Sequence, residues 1–280
     1  MNIYSTKDEI GKAVKDARDK GLKVGFVPTM GALHRGHLSL LDRARAENNI
    51  SVCSIFVNPI QFNNPDDLKK YPRNPDADHR MLETAGCDLV FSPSVEEMYP
   101  EGEVREQYEF GHLNEVMEGA HRPGHFNGVA VVVKRLFDIC MPHRAYFGEK
   151  DFQQLMIIRA LVAMNDLPVE IVGCPIIREE DGLAMSSRNV RLSPEERAIA
   201  PRIYETLLMI REDAGKKPLE HVMHLAERRL NALPGMRVDY LQLVNEATLL
   251  PAGSWVSARD LRVFAAVYLG EVRLIDNLKI

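Results

Sequence analysis

Residues 24–47 read VGFVPTMGALHRGHLSLLDRARAE. The short apolar run Val24-Gly-Phe-Val27 has the pattern of a buried strand. It passes into a glycine-containing loop ending in HRGH at 34–37, and then into Leu38, Leu41 and Ala44 at helical spacing. A strand that feeds a helix through such a loop aims backbone N–H groups and the positive end of a helix dipole at one spot. His34 and His37 add two hydrogen-bonding side chains there, and Gly36 lets a ligand approach the backbone. A nucleoside triphosphate suits such a place, because its charge must be stabilised while a phosphoanhydride bond breaks. A turn with two surface histidines is the plainer alternative.

The flanking sequence repeats the strand–loop–helix theme. Thr6-Lys-Asp-Glu9 has the form of a capping box, with Ile10, Ala13, Val14 and Ala17 following at helical spacing and Gly21 as a stop. Ile50–Val57 is apolar and β-branched and reads as a buried strand, ended by Asn58-Pro59. Asn63–Asp67 reads as a loop from its turn residues. A helix is predicted near Asp76–Ala85, a strand at Asp88–Phe91, a helix over Gly128–Cys140, a strand at Ala145–Phe147, a helix capped by Asp151, and a strand at Val169–Val172. Alternation at this spacing predicts an α/β fold, a Rossmann-like doubly wound parallel sheet, over residues 1–175.

The pattern then changes. Ser193-Pro-Glu-Glu196 is a helix start, and Leu219–Leu233 is a second helical stretch. Three strand-like runs follow, at Val238–Val244, Arg262–Tyr268 and Glu271–Ile275. Residues 176–280 are therefore expected to form a smaller α+β C-terminal domain.

Composition narrows the function classes. The chain has 280 residues, 45% of them hydrophobic and 27% charged, as in an ordinary globular protein with ample core. A formal net charge of −5 argues against general affinity for nucleic acid. No apolar run is long enough to span a membrane, and the N-terminus lacks the apolar centre of a signal peptide, so the expected location is cytoplasmic. Cys53, Cys87, Cys140 and Cys174 are far apart in the sequence and read as reduced core residues.

Other segments carry chemistry-bearing residues. In Phe56-Val-Asn-Pro-Ile-Gln-Phe62, Asn58 and Gln61 could fix a small polar substrate, or serve a turn. In Phe147-Gly-Glu-Lys-Asp-Phe-Gln-Gln154, Lys150 is a mobile cation at a strand-to-helix junction. Of the adjacent Gln153 and Gln154, at most one is expected to face a ligand. In Arg178-Glu-Glu-Asp-Gly-Leu-Ala-Met-Ser-Ser-Arg-Asn189, the run Ser186-Ser187-Arg188 could clamp phosphate. The segment Glu179–Asn189, which contains Gly182, reads as a loop that is movable in the free protein and ordered by nucleotide, or as a simple linker. His121 and His125 could in principle join His34 and His37 around a metal, although no reinforcing ligand spacing is present. His221 and His224 read as solvated.

Taken in order, PTMGALHRGHLSL (28–40), FVNPIQF (56–62), HFNGVAVVVKRLF (125–137), FGEKDFQQL (147–155) and REEDGLAMSSRN (178–189) closely resemble the pantothenate synthetase, or pantoate–β-alanine ligase, family of the HxGH nucleotidyltransferase superfamily. The closing VRLIDN at 272–277 extends the resemblance over the whole chain. Val131, Asp138 and Met185 depart from the usual Thr, Asn and Leu.

The resemblance implies ATP-dependent joining of D-pantoate to β-alanine through an enzyme-bound pantoyl adenylate, with release of AMP and pyrophosphate. It implies that His34, His37 and Lys150 are catalytic, His37 standing at the proton-donor position. It places ATP along Met30, Gly31, Ala32, Leu33, His34, Arg35, Gly36 and His37, along Gly148, Glu149, Lys150 and Asp151, and at Ile177, Met185, Ser186, Ser187 and Arg188. Gln61 and Gln154 would bind pantoate, Gln61 also standing near the β-alanine position, and Asn58 is counted with them as substrate-binding. Mg²⁺ is implied as the companion of ATP, with no protein ligand singled out, and a homodimer is expected. Residues 1–175 would bind nucleotide and pantoate, and residues 176–280 would act as a lid. Two rivals remain at this level: a nucleotidyltransferase acting on a phosphorylated acceptor, and a metal hydrolase built from the four loop histidines.

Overall fold

In the computed structural model, which describes residues 1–100, 106–256 and 260–280, the chain opens with a short strand, β1 (Asn2–Tyr4). Thr6 then accepts the Glu9 N–H at 3.3 Å and starts helix α1 (Lys7–Asp19), which buries Ile10, Val14 and Ala17 on one face. Next come β2 (Val24–Thr29), α2 (Arg35–Glu47), β3 (Ile50–Ile55), α3 (Pro65–Lys70), α4 (Pro75–Thr84) and β4 (Leu89–Phe91). Two short helices, α5 (Val95–Met98) and α6 (Met117–His121), precede α7 (His125–Cys140), β5 (Arg144–Gly148), α8 (Phe152–Met164) and β6 (Glu170–Cys174).

The six strands lie in the order β1-β4-β3-β2-β5-β6, and every neighbouring pair is parallel. The chain steps outward from β2 to β3 and β4, then returns to place β5 on the other side of β2. The strand order therefore reverses between β2 and β5. Open parallel sheets bind ligands outside the C-terminal ends of the strands at such a point. Val27, Leu41, Ala44, Cys53, Leu82, Val90 and Tyr146 belong to the core that holds α2 and α4 to this sheet.

The chain divides into two compact units: Met1–Glu149 with Gln153–Pro175, and Lys150–Phe152 with Ile176–Ile280. In the second, helices α9 (Pro194–Ile199), α10 (Arg202–Asp213) and α11 (Leu219–Asn231) are followed by an antiparallel sheet of β7 (Met236–Asn245), β8 (Leu261–Leu269) and β9 (Val272–Lys279), with β8 central. Ile203, Leu207 and Ile210 of α10 and Val222, Ala226 and Leu230 of α11 join Val263, Ala265 and Val267 in one core. Trp255 packs against that core and donates its indole N–H to the Lys217 carbonyl at 2.7 Å. A parallel α/β sheet with a small α+β unit is the expected fold class.

Four local expectations need correction. Asn63–Asp67 is not all loop: Asn64 accepts the Asp66 N–H and Pro65 opens α3, so the turn residues were a cap followed by an N1 proline. Asp151 stands immediately before α8, but its side chain makes no capping hydrogen bond to the described residues. It lies in a 3-10 turn, Glu149–Asp151, that runs directly into α8, because coiling begins at the end of β5. Helix α7 starts at His125 rather than Gly128, immediately after Gly124 at φ +82°. Strand β9 runs on through Asp276 and Asn277, polar residues that look like a strand end but are buried.

All four cysteines are buried free thiols. Burial raises the pKa of each, that of Cys87 to about 11. Among the described residues no helix is long and apolar enough to cross a membrane.

Candidate active site

The loop between β2 and α2 leaves the sheet at the point where the strand order reverses. Its first turn is tied to the neighbouring strand: the Thr29 hydroxyl donates to the Ser54 carbonyl at 2.6 Å and accepts the Gly31 N–H at 3.2 Å. Gly31 adopts φ +77°, and an added Cβ would lie 2.9 Å from Asp78 Oδ2. The Asp78 side chain, from α4, is 3% exposed. Its carboxylate accepts the Ala32 N–H at 2.9 Å and the Leu33 N–H at 2.7 Å, which holds Ala32 at φ +48°. Sequence reasoning missed Asp78, since an aspartate in the first turn of a helix ordinarily answers the helix dipole in solvent.

The two histidines cap α2 reciprocally. His34 is the N-cap residue, and its Nδ1 accepts the Gly36 N–H at 3.1 Å, while His37 Nδ1 accepts the His34 N–H at 3.3 Å. Their ring centroids are 4.1 Å apart. A neutral imidazole that accepts at Nδ1 carries its proton on Nε2. Both rings are thus set as Nε2–H donors at the positive end of a helix whose first turn holds no acidic residue. The expectation that this loop offers its backbone N–H groups is narrowed, because those of Gly31, Ala32, Leu33, His34 and Gly36 all donate within the protein. The loop spends these amides on its own shape.

Beyond β3, Asn58 and Gln61 form a hydrogen-bonded amide pair. Asn58 Nδ2 donates to Gln61 Oε1 and to the Gly128 carbonyl, both at 3.0 Å, and Asn58 Oδ1 accepts from the Tyr99 hydroxyl at 2.9 Å. Gln61 Nε2 meets Met30 Sδ, a weak acceptor, at 3.0 Å. This contact also brings the β3 turn and the β2 loop together. Helix α7 supports the turn from behind: His125 Nδ1 lies 2.9 Å from the Gln61 carbonyl oxygen, and a Cβ at Gly128 would come within 2.5 Å of the Ile60 carbonyl oxygen. Val131 is buried in the same helix, and Asp138 pairs with Lys134 at 2.7 Å on its exposed side.

The two glutamines of α8 have different surroundings. Gln153 is buried; its Oε1 accepts the Glu118 N–H at 3.0 Å, and its Nε2 donates to the Leu113 and Val116 carbonyls at 2.8 and 2.9 Å. Gln154 is half-buried, and its amide bonds to none of the described residues.

The second unit carries Lys150 and the MSSR segment. Arg178 pairs with Ala184 across a tight turn, and the Met185 N–H donates to the Ile177 carbonyl at 3.0 Å. Ser186 then caps a 3-10 turn, Ser187–Arg191, by accepting the Arg188 N–H at 3.3 Å. Residues 178–185 are therefore a pinned hairpin rather than a linker. Lys150, Ser186, Asn189 and Asp276 share the lining of a small cavity of about 10 Å³.

Among the described residues no three His, Cys, Asp or Glu side chains are grouped to hold a metal ion. His125 is committed to the Gln61 backbone, so the hydrolase built from four loop histidines finds no support. His221 and His224 lie on exposed positions.

The family model for pantoate-beta-alanine ligase matches residues 2–279. The pantothenate synthetase of Porphyromonas gingivalis is 53% identical over 279 residues, covering 100% of this chain and 99% of that protein. The crystal structure of pantothenate synthetase from Thermus thermophilus superposes with a TM-score of 0.93 at 51% identity, covering 99% of each chain. The pantoate-beta-alanine ligase of Francisella tularensis, crystallised with beta-gamma ATP and beta-alanine, gives a TM-score of 0.84 at 37% identity, covering 99% of this chain and 97% of that one.

Proposed function

The chain belongs to the pantoate–β-alanine ligase family, and on that premise we propose how its own residues carry out the ATP-dependent condensation of D-pantoate with β-alanine. The observation that carries the proposal is the reciprocal histidine cap. It fixes two Nε2–H donors at the end of the β2–α2 loop, whose Met30 touches Gln61 of the Asn58–Gln61 amide pair.

A carboxylate does not acylate an amine directly, because oxide is not a leaving group. Activation solves this in two displacements. First a pantoate carboxylate oxygen attacks the α-phosphorus of ATP; the new O–P bond forms as the bond to pyrophosphate breaks. Then the β-alanine amine attacks the acyl carbonyl of the adenylate, the acyl C–O bond breaks, AMP departs and the amine gives up a proton. No enzyme nucleophile is required, and the four buried, protonated thiols supply none.

Charge builds on phosphorus oxygens in the first step. His34 and His37 donate Nε2–H hydrogen bonds to them without giving up the proton, since each Nδ1 accepts a backbone N–H, and α2 adds its dipole. Lys150 neutralises phosphate oxygens, and Ser186, Ser187 and Arg188 hold the outer phosphates, Arg188 by its forked donors. Met30–His37, Gly148–Asp151, Ile177 and Met185 line the nucleotide. Gln61 and Gln154 bind pantoate through their amides, and Asn58 belongs to the same group by orienting Gln61.

Mg²⁺ enters with ATP. Such an ion would neutralise phosphate charge and would need no all-protein cage; no protein ligand for it is singled out. The working form is a cytoplasmic homodimer, tested by sedimentation.

The test of the reaction is ATP–pyrophosphate exchange. Pantoate alone should support exchange, and full turnover should release AMP and pyrophosphate. Release of ADP and phosphate would indicate an acyl-phosphate route and overturn the scheme.

A further inference from the structure

The closing VRLIDN segment has no part in the chemistry above, yet it contains a buried polar residue whose amide is bonded at both ends. Asn277 is 1% exposed. Its Nδ2 donates to the backbone carbonyl of Lys150 at 3.0 Å, and its Oδ1 accepts from Arg262 Nη1 at 2.6 Å. Arg262 has only donors, so it must face the amide oxygen. That leaves the NH₂ of Asn277 for the carbonyl, and the orientation of the amide is unambiguous.

The surroundings fix this arrangement further. The Arg262 guanidinium lies 4.0 Å over the Phe152 ring, and Phe152 meets Phe264 edge-on at 6.0 Å. The Asn277 N–H donates to Asp276 Oδ1 at 2.8 Å, and Asp276 takes both prongs of Arg178, at 2.7 and 2.9 Å. Arg178 in turn stacks 3.6 Å over Tyr204. One buried network therefore holds the tripeptide Lys150–Phe152 at its first residue, by backbone, and at its last, by ring. A buried side chain that grips a main-chain carbonyl beside a flexible cation limits where that cation can reach.

We infer that Asn277 is a positioning residue for Lys150: by holding the Lys150 carbonyl, with Arg262 setting the amide, it aims the ammonium group at the phosphate oxygens. The inference rests on the assignment of Lys150 to phosphate, and the experiment separates the two. Single-turnover formation of pantoyl adenylate is measured by rapid quench in the full-length enzyme and in N277D, K150A and N277D/K150A. Asp at 277 keeps the acceptor for Arg262 but sets an oxygen against the Lys150 carbonyl. Misplacement of about 1 Å costs up to 10²-fold, so N277D should slow adenylation by about 10- to 10²-fold, with pantoate affinity unchanged. On the K150A background the same substitution should have no further effect. Equal losses on both backgrounds would show that Asn277 only supports the fold and would overturn the inference, as would an unchanged rate in N277D. A near-normal rate in K150A would instead refute the role of Lys150 and take the inference with it. If N277D does not fold, R262K replaces it in the same cycle. It keeps the charge but loses the planar stack on Phe152, and the same non-additivity with K150A is required.

Discussion

At the scale of single residues, the site rests on side chains whose hydrogen bonds are already assigned. His37→Ala removes the proposed phosphate donor and also the acceptor for the His34 N–H. Adenylate formation should fall by about 10²–10³-fold, the range for losing one transition-state donor; a near-normal rapid-quench rate would remove His37 from the mechanism. Gln61→Ala should weaken pantoate binding by ~1–3 kcal/mol, leaving ATP affinity alone, since on the proposed assignment it strips a buried substrate oxygen of its partner. Calorimetry that found the reverse would show the two pockets exchanged. Asp78→Asn puts an NH₂ where the carboxylate accepts a backbone N–H. A urea midpoint lowered by the equivalent of ~1–3 kcal/mol is expected, and an unchanged one would mean that the loop holds itself. The histidines were legible because their motif lies between a strand and a helix in the sequence itself. Asp78 and Asn277 were not. Their importance comes from burial against segments 45 and 127 residues away, respectively, and no local pattern carries that distance.

At the scale of elements, strand and helix identity was plain wherever the apolar period was long, as in β3 and α7. It failed at short polar stretches. Asn63–Asp67 contains a cap and an N1 proline that resemble a turn, and the polar end of β9 resembles a strand terminus because nothing in it announces Arg178 and Arg262 as partners. Gly128 shows how one helix sets another element's position. Gly128→Ala would push a methyl group within 2.5 Å of the Ile60 carbonyl oxygen, which belongs to backbone and not to a yielding side chain. A loss of ~1–3 kcal/mol in stability is expected from overpacking, together with weaker pantoate binding as the turn bearing Gln61 shifts. Unaltered pantoate affinity would show that α7 does not position that turn. The hairpin at 178–185 also refines the expectation of a movable loop. Backbone pairing pins it, so ligand-dependent protection should be confined to residues 186–191. Hydrogen exchange there should slow when a non-hydrolysable ATP analogue is added, and equal protection without nucleotide would make the segment a fixed support.

At the scale of the molecule, buried acids set the alkaline limit. The thiols have an ordinary pKa of 9.0, and burial raises all four, Cys87 to about 11. Tyr146 rises from 10.0 to about 12, through burial and its hydrogen bond to Glu47. An unfolded chain loses these protons first and the native state retains them, so stability must decline as pH rises from about 9 towards 12. The urea midpoint should drop over that window, and Tyr146→Phe should flatten its upper part. An unchanged slope in that variant would assign the decline to the thiols. The same cysteines serve another purpose. All four fall in the first unit, whereas Trp255, the one tryptophan of the chain, falls in the second and is moored to the Lys217 carbonyl. A thiol reagent therefore clocks the opening of one unit while indole emission clocks the other, in a single unlabelled sample. The wild-type chain comes with two independent stopwatches: coincident traces would mark one cooperative transition, and separated traces would give each half its own lifetime.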